Sequence, residues 1–151
     1  MIVFELDRAI PHKPPMRWLD RIISVDPQRA VCESDVTQEH IFYRPEIGGI
    51  DSWLGIEMMA QAAAVFVYGQ KYNKKDTMPS IAFLLSVRQF EASISFFEIH
   101  SVLTVSVDCD LLDNNMGVFM GKIALNKQII ASAQLSAYKP TADELKQVLA
   151  G

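Results

Sequence analysis

The sequence predicts an α+β protein in which one long antiparallel sheet wraps around a single central apolar helix. Residues 48–66 are expected to form a helix that is apolar on nearly all sides. The second half of the chain instead alternates polar and apolar residues with a period of two, which is typical of half-buried strands. Such a helix needs a covering sheet, since it would otherwise expose a hydrophobic flank.

A β-hairpin and a loop are predicted ahead of the helix. The segments RWLDRIISV and RAVCESDVT flank DPQ, a sequence typical of a turn between two strands. Residues 38–51 lose the alternating pattern and include Gly48 and Gly49, which indicates a loop through which the helix is entered. Asp51 or Ser52 is expected to cap the helix, which then runs to about residue 68 or 71.

About four strands are predicted after the helix. The segment SIAFLLSVRQFEASISF is expected to form a long strand, or a strand with a bulge. The tight turns DNNMG and LNKQ join VFMGKIAL to its neighbours in an antiparallel meander that ends with ASAQLSAY. A short polar helix is expected from Thr141. In LTVSVDCDL, one face of the strand would carry Leu103, Val105, Val107, Cys109 and Leu111.

Composition limits the classes of function that the chain can have. With 151 residues, 50% of them hydrophobic and 21% charged, the sequence predicts one domain spanning residues 1–151 with a sizeable core. The net charge of -4 argues against broad nucleic-acid binding, which needs a basic face. Glu57 and Gln61 interrupt the apolar run, which argues against a membrane span. The first residues do not resemble a signal peptide, so a cytoplasmic protein is expected.

Glu57 and Gln61 are the polar residues that stand out in the apolar helix. Their i, i+4 spacing places them on one helix face, where both can point at one spot. Burial would favour the protonated form of the glutamate, which could then act as a general acid. The alternative is that Glu57 only accepts hydrogen bonds from a neighbouring loop or reaches solvent at the helix edge.

His40 supplies the second group needed for proton transfer. It precedes the segment IFYRPEIGG, in a loop that can fold back over the start of the helix. Its imidazole suits proton abstraction near neutral pH, and a protonated glutamate suits protonation of a leaving group. Backbone amides near Gly48, Gly49 and the start of the helix could hold a thioester carbonyl as it gains enolate charge. Together these groups would serve β-elimination of water.

Three segments resemble the hot-dog-fold 3-hydroxyacyl-[acyl-carrier-protein] dehydratases. IPHKPPMRWLDRIISVDP resembles the opening of that family, GIEMMAQAAAVF its central helix, and FLLSVRQFEA the strand that follows. Glu57 and Gln61 match the glutamate and glutamine of that helix. The resemblance implies a dimer with active sites at its interface, where Glu57 is contributed across the interface. It also implies an acyl carrier protein bearing a 3-hydroxyacyl thioester as partner, and no cofactor.

The loop before the helix departs from the common pattern of that family. The family usually places its histidine in His-Phe-Pro-Gly, and counting back from Glu57 by the family spacing reaches Tyr43 instead. The segment EHIFYRPEIGGIDSWLGIE resembles the dehydratase-like subunits of aryl polyene biosynthesis clusters, which have an early histidine. This resemblance implies that His40 is the base and that a second hot-dog dehydratase subunit can replace a homodimer partner.

Two other functions stay open at this level. The altered loop is also compatible with a catalytically weak or inactive partner subunit of a heterodimeric dehydratase, and a hot-dog thioesterase would use a similar helix carboxylate to activate water. Neither His12 nor His100 has the spacing of a metal ligand, and no metal site is predicted. The settings of Cys32 and Cys109 do not indicate covalent catalysis.

Two larger residue sets are candidates for contacts with substrate and carrier. An acyl tunnel could be lined by Ile41, Phe42, Ile47, Ile50 and Trp53, which could equally be core or dimer contacts. A basic patch for an acidic carrier protein could draw on Arg17, Arg21, Arg44, Lys71, Lys74, Lys75 and Arg88, although each could equally be an ordinary surface charge.

Overall fold

Six antiparallel strands form one sheet in the order β1-β2-β6-β7-β8-β4, and two further short strands, β3 and β5, pair separately. The structure is a computed structural model that describes residues 5–10, 13–73, 83–113, 116–138 and 147. Its elements are α1 (Leu6–Ala9), β1 (Arg21–Val25), β2 (Arg29–Asp35), β3 (Gly49–Asp51), a 3₁₀ turn (Ser52–Leu54), α2 (Gly55–Asn73), β4 (Phe83–Ala92), β5 (Phe96–Glu98), β6 (Val102–Leu112), β7 (Met116–Leu125) and β8 (Gln128–Tyr138).

Helix α2 contacts all six strands of the large sheet. Met58, Met59 and Phe66 of the helix are at most 1% exposed, and Phe66 meets Phe119 of β7 edge to face with ring centroids 5.7 Å apart. Burial of such apolar side chains is the main stabilising contribution to this arrangement. The predicted sheet around a central helix is therefore confirmed. Within the described residues, no helix is both long enough and apolar enough to cross a membrane.

The predicted N-terminal hairpin is present as β1 and β2. The carboxylate of Asp26 in the turn accepts the backbone N–H groups of Gln28 at 2.7 Å and Arg29 at 2.8 Å. This is the way an aspartate stabilises a turn through its own side chain. Strand β1 begins at Arg21, later than the sequence pattern suggested, and the four residues before it form an irregular segment that leads toward the helix.

The entry to the helix differs from the prediction. Gly49–Asp51 form strand β3, a 3₁₀ turn follows, and α2 begins only at Gly55. Asp51 stands before the 3₁₀ turn but makes no side-chain capping hydrogen bond, because its carboxylate instead accepts from the Arg44 guanidinium at 2.8 Å. The apolar run thus begins in a short sheet and only then becomes helical.

The predicted strands of the second half are present, with one change of face. A bulge between Cys109 and Leu111 shifts the pairing of β6 with β7, so that Leu111 is 50% exposed instead of facing the core. Strand β4 has the predicted irregularity, and Asn126 and Lys127 both have positive φ in the predicted β7–β8 turn. The predicted C-terminal helix lies outside the described residues except Gln147, which is helical.

Candidate active site

Gln61 holds Glu57 at the centre of the site. The side chain of Gln61 is 1% exposed, and its Oε1 accepts the backbone N–H of Trp18 at 2.9 Å. Its Nε2 donates to the carbonyl of Met16 at 2.9 Å and to Oε1 of Glu57 at 3.2 Å. The two side chains therefore meet on one helix face as their spacing predicted. Glu57 itself is only partly buried in this chain, so the full burial expected from the sequence is not present.

His40 lies in a turn of the loop that follows β2. Its Nδ1 accepts the backbone N–H of Phe42 at 3.1 Å, so the neutral ring carries its proton on Nε2. Among the described residues, this buried Nε2 atom has no hydrogen-bond partner. Burial lowers the pKa of the His40 imidazole below its ordinary value, and the charge of Asp20 opposes this shift in part. The ring is therefore kept neutral near physiological pH.

Trp18 contacts both His40 and Gln61, a position that sequence reasoning missed. Its ring centroid is 4.7 Å from that of His40 and 5.7 Å from that of Phe42, while its backbone amide donates to Gln61. Trp18 and Gln61 are separated by 43 residues in the chain, so no local sequence pattern could have indicated this contact.

In this chain the amides of Gly48 and Gly49, which were predicted to donate to a thioester, point to carbonyls of the preceding turn. The Gly48 N–H already donates to the carbonyls of Arg44 at 3.0 Å and Pro45 at 3.3 Å, and the Gly49 N–H points to the Arg44 carbonyl at 3.5 Å. The glycines serve the backbone instead. Gly48 has φ of +67°, and a Cβ on Gly49 would lie 2.1 Å from the carbonyl oxygen of Phe97.

The predicted acyl-tunnel residues separate into two groups. Ile50 is 0% exposed and lies in the core of this chain beside Phe97, its β5 pairing partner, so it does not line an open surface. In contrast, Phe42 is 43% and Trp53 58% exposed, and Ile47 is partly exposed. The neighbouring Ile41 is 44% exposed. Apolar side chains thus remain uncovered next to His40.

The predicted basic patch is largely neutralised by acids of the same chain. Arg17 pairs with Asp7, Arg21 with Glu33 at 2.8 Å and Asp35 at 2.6 Å, and Arg44 with Glu46 at 2.7 Å and Asp51 at 2.8 Å. Arg88 lies exposed on the edge strand β4. The side chains of Lys71, Lys74 and Lys75 lie outside the described residues.

The other described residues that the sequence offered, His100 and the two cysteines, have no contact with the site. His100 is exposed at a turn with positive φ, ahead of β6, and His12 lies outside the described residues. Both cysteines are free thiols. Burial raises the pKa of the Cys32 thiol to about 12, which keeps it from acting as a nucleophile near neutral pH.

Comparisons with known proteins agree with this geometry. The ApeP-like family, described as ApeP dehydratase, matches residues 4–150. A 3-hydroxyacyl-[acyl-carrier-protein] dehydratase FabZ of Xanthomonas campestris pv. campestris is 29% identical over 141 residues, which cover 88% of each protein. The dehydratase heterocomplex ApeI:P from Xenorhabdus doucetiae contains a chain with a TM-score of 0.90 and 28% identity, over 98% of this chain and 99% of that one.

More distant structures share the fold alone. A hypothetical thioesterase with coenzyme A from Streptococcus pneumoniae TIGR4 has a TM-score of 0.62 at 12% identity, over 80% of this chain and 84% of that one. The antiparallel sheet with one central helix, together with these matches, confirms the hot-dog fold.

Proposed function

The chain belongs to the ApeP-like dehydratase family, and from this premise we propose that it removes water from 3-hydroxyacyl thioesters on acyl carrier protein, giving trans-2-enoyl thioesters. The observation that carries the proposal is the carboxylate of Glu57, which is oriented by a buried amide that is itself fixed from two sides. FabZ, a relative of 29% identity, is named for the same reaction on the same carrier.

The elimination needs one base and one acid. The bond from the α-carbon to hydrogen breaks, the electron pair forms the double bond, and the β-hydroxyl leaves as water after taking up a proton. His40 takes the α-proton, because its lowered pKa keeps it neutral. Glu57 protonates or orients the leaving hydroxyl, and Gln61 fixes its carboxyl group.

The hydrogen bond from Phe42 sets a requirement for the base. While the Phe42 N–H occupies Nδ1, the proton on Nε2 prevents that atom from accepting another. Abstraction through Nε2 therefore requires that the Phe42 bond be released and that Nδ1 carry the ring proton. Phe42 is 43% exposed, and substrate that binds against its side chain would displace this turn.

A second hot-dog subunit is the proposed partner. The similar chain of known structure comes from the dehydratase heterocomplex ApeI:P. The exposed side chains of Ile41 and Phe42 beside His40, and of Trp53 before the helix, give such a subunit apolar surface to cover, and covering it would enclose an acyl chain. Since Arg17, Arg21 and Arg44 are already paired, carrier docking falls to other cations, of which Arg88 on β4 is exposed.

Intact-mass analysis of a 3-hydroxyacyl carrier protein tests the proposal. The carrier is incubated with the purified chain, alone and together with a second hot-dog dehydratase subunit. With the unaltered chain, the carrier is expected to lose the mass of one water. With His40→Asn, the mass of the carrier should not change. His100→Asn is the matched control, because His100 lies exposed outside the site, and it should leave the reaction intact.

The same spectra separate the two alternative functions. If the complex dehydrates equally well when this chain carries His40→Asn and Glu57→Gln, the chain is an inactive partner and the catalytic assignment is wrong. If the carrier returns without its acyl group, the chain is a thioesterase, because thioester hydrolysis releases the free acid.

A further inference from the structure

Trp18 is anchored more firmly than its place in an irregular segment would suggest. The residue is 6% exposed, and its indole N–H donates to the carbonyl of Pro15 at 3.1 Å. Its own carbonyl accepts the hydroxyl of buried Ser34 in β2 at 2.5 Å. Side chain and backbone are thus fixed separately, one by the preceding segment and the other by the sheet.

From this position Trp18 contacts His40 and also Gln61, the residue that supports Glu57. Its backbone N–H donates to Oε1 of Gln61 at 2.9 Å, and the amide of Gln61 in turn donates to Glu57 at 3.2 Å. On the other side, the indole ring packs against His40 with the ring centroids 4.7 Å apart. One residue therefore orders the support of the carboxylate and forms a wall of the imidazole pocket.

We propose that Trp18 is a positioning residue for the dehydration, which fixes the Gln61–Glu57 pair through its backbone and His40 through its ring. The inference rests on the function proposed above. Trp18 touches no reacting atom in this scheme, so it acts only through the groups that it holds. A displacement of such groups by about 1 Å can slow a reaction by about a hundredfold.

The ring also controls the surroundings of the histidine. The indole and Phe42 exclude water from one side of the imidazole, while the carboxylate of Asp20 is the charged group that acts on it from the segment next to Trp18. Removing the indole should admit water to the imidazole, which weakens the effect of burial on its pKa. Asp20 stays in place and continues to favour the imidazolium, so the pKa of His40 should rise.

Trp18→Leu and Ser34→Ala test this proposal in the full chain, assembled with its partner subunit where one is needed. Trp18→Leu should lower kcat about 10- to 100-fold with a much smaller effect on KM, and should raise the pKa of His40 followed by NMR titration of its ring. Ser34→Ala only releases the Trp18 carbonyl, so it should shift both quantities in the same direction by less. Phe119→Leu removes a buried aromatic ring away from the site and should move neither.

Three outcomes would overturn the proposal. One is a pKa of His40 that stays at the wild-type value in Trp18→Leu, and another is a kcat that falls no further there than in Phe119→Leu. If Trp18→Leu does not fold, wild-type values of kcat and of the His40 pKa in Ser34→Ala refute it. Absence of dehydration by the unaltered complex would instead refute the proposed function, while the titration of His40 would still test the placement of Trp18.

Discussion

Replacing Gln61 by methionine should expose how far the site depends on one buried amide. Methionine keeps the length of the side chain but can neither accept the Trp18 N–H nor donate to Met16 and Glu57. The carbonyl of Met16 can turn to water because Met16 is 39% exposed, but the amide of buried Trp18 cannot. One orphaned buried donor costs about 1–3 kcal/mol, so we expect unfolding to require about 2 kcal/mol less.

Urea denaturation measures this loss, and thermal unfolding should show it as a fall in Tm of about 4–8 °C. In the intact-mass assay, kcat should fall about 10- to 100-fold because the carboxyl group of Glu57 loses its oriented donor. Gln70→Met is the matched control on the same helix. Gln70 donates to the carbonyl of Asp26 at 2.8 Å in a solvent-exposed position, so its loss should cost less than about 0.5 kcal/mol.

Equal losses of unfolding free energy in the two glutamine variants would contradict this role of Gln61. So would a Gln61→Met variant that is destabilised as expected but retains full turnover. That second result would mean that Gln61 is a structural residue of the helix, and that the carboxyl group of Glu57 keeps its orientation by other contacts.

Three further predictions concern the acid, the base and the loop. Glu57→Gln should cut turnover about 100- to 10,000-fold without a change in the urea midpoint, and unchanged turnover would exclude the acid role. Because burial lowers the pKa of His40, the unfolded chain takes up a proton below about pH 6.5 that the folded chain does not. The free energy of unfolding should thus fall as the pH drops below this value and stay level above it, and His40→Asn should remove that slope in urea titrations. Gly49→Ala should cost about 3 kcal/mol through its clash with the Phe97 carbonyl, whereas Gly48→Ala, with open space but positive φ, should cost about 1 kcal/mol; equal losses in denaturation would contradict the steric argument.

Those features that repeat along the chain could be predicted from the sequence. The period of two predicted strands β6 and β8, because side chains alternate across a pleated sheet whatever the sheet packs against. The turn residues predicted the β1–β2 and β7–β8 hairpins. The i, i+4 spacing gave the meeting of Glu57 and Gln61 for the same kind of local reason. Recognition of the dehydratase family from the helix and its flanking segments is confirmed.

The features that could not be predicted from the sequence depend on contacts between residues that are distant in the chain. Leu111 turned outward because a bulge against β7 changed its face, and a bulge is set by the pairing of two strands. The role of Trp18 could not be predicted for the same reason, since it depends on Gln61, which is 43 residues away in the chain but adjacent in space.

The proposed proton transfers can be assigned to particular atoms, and this explains how the site could work without the common His-Phe-Pro-Gly segment. Oε1 of Glu57 accepts from Gln61, so the proton given to the leaving hydroxyl would be carried on Oε2. Nδ1 of His40 accepts the Phe42 amide, so Nε2 can take the α-proton only after that bond is released and the ring proton has moved to Nδ1. Each orienting group is held by backbone contacts of the loop or of the segment around Trp18. This altered loop can therefore keep His40 and Glu57 in place as long as that segment still packs against them.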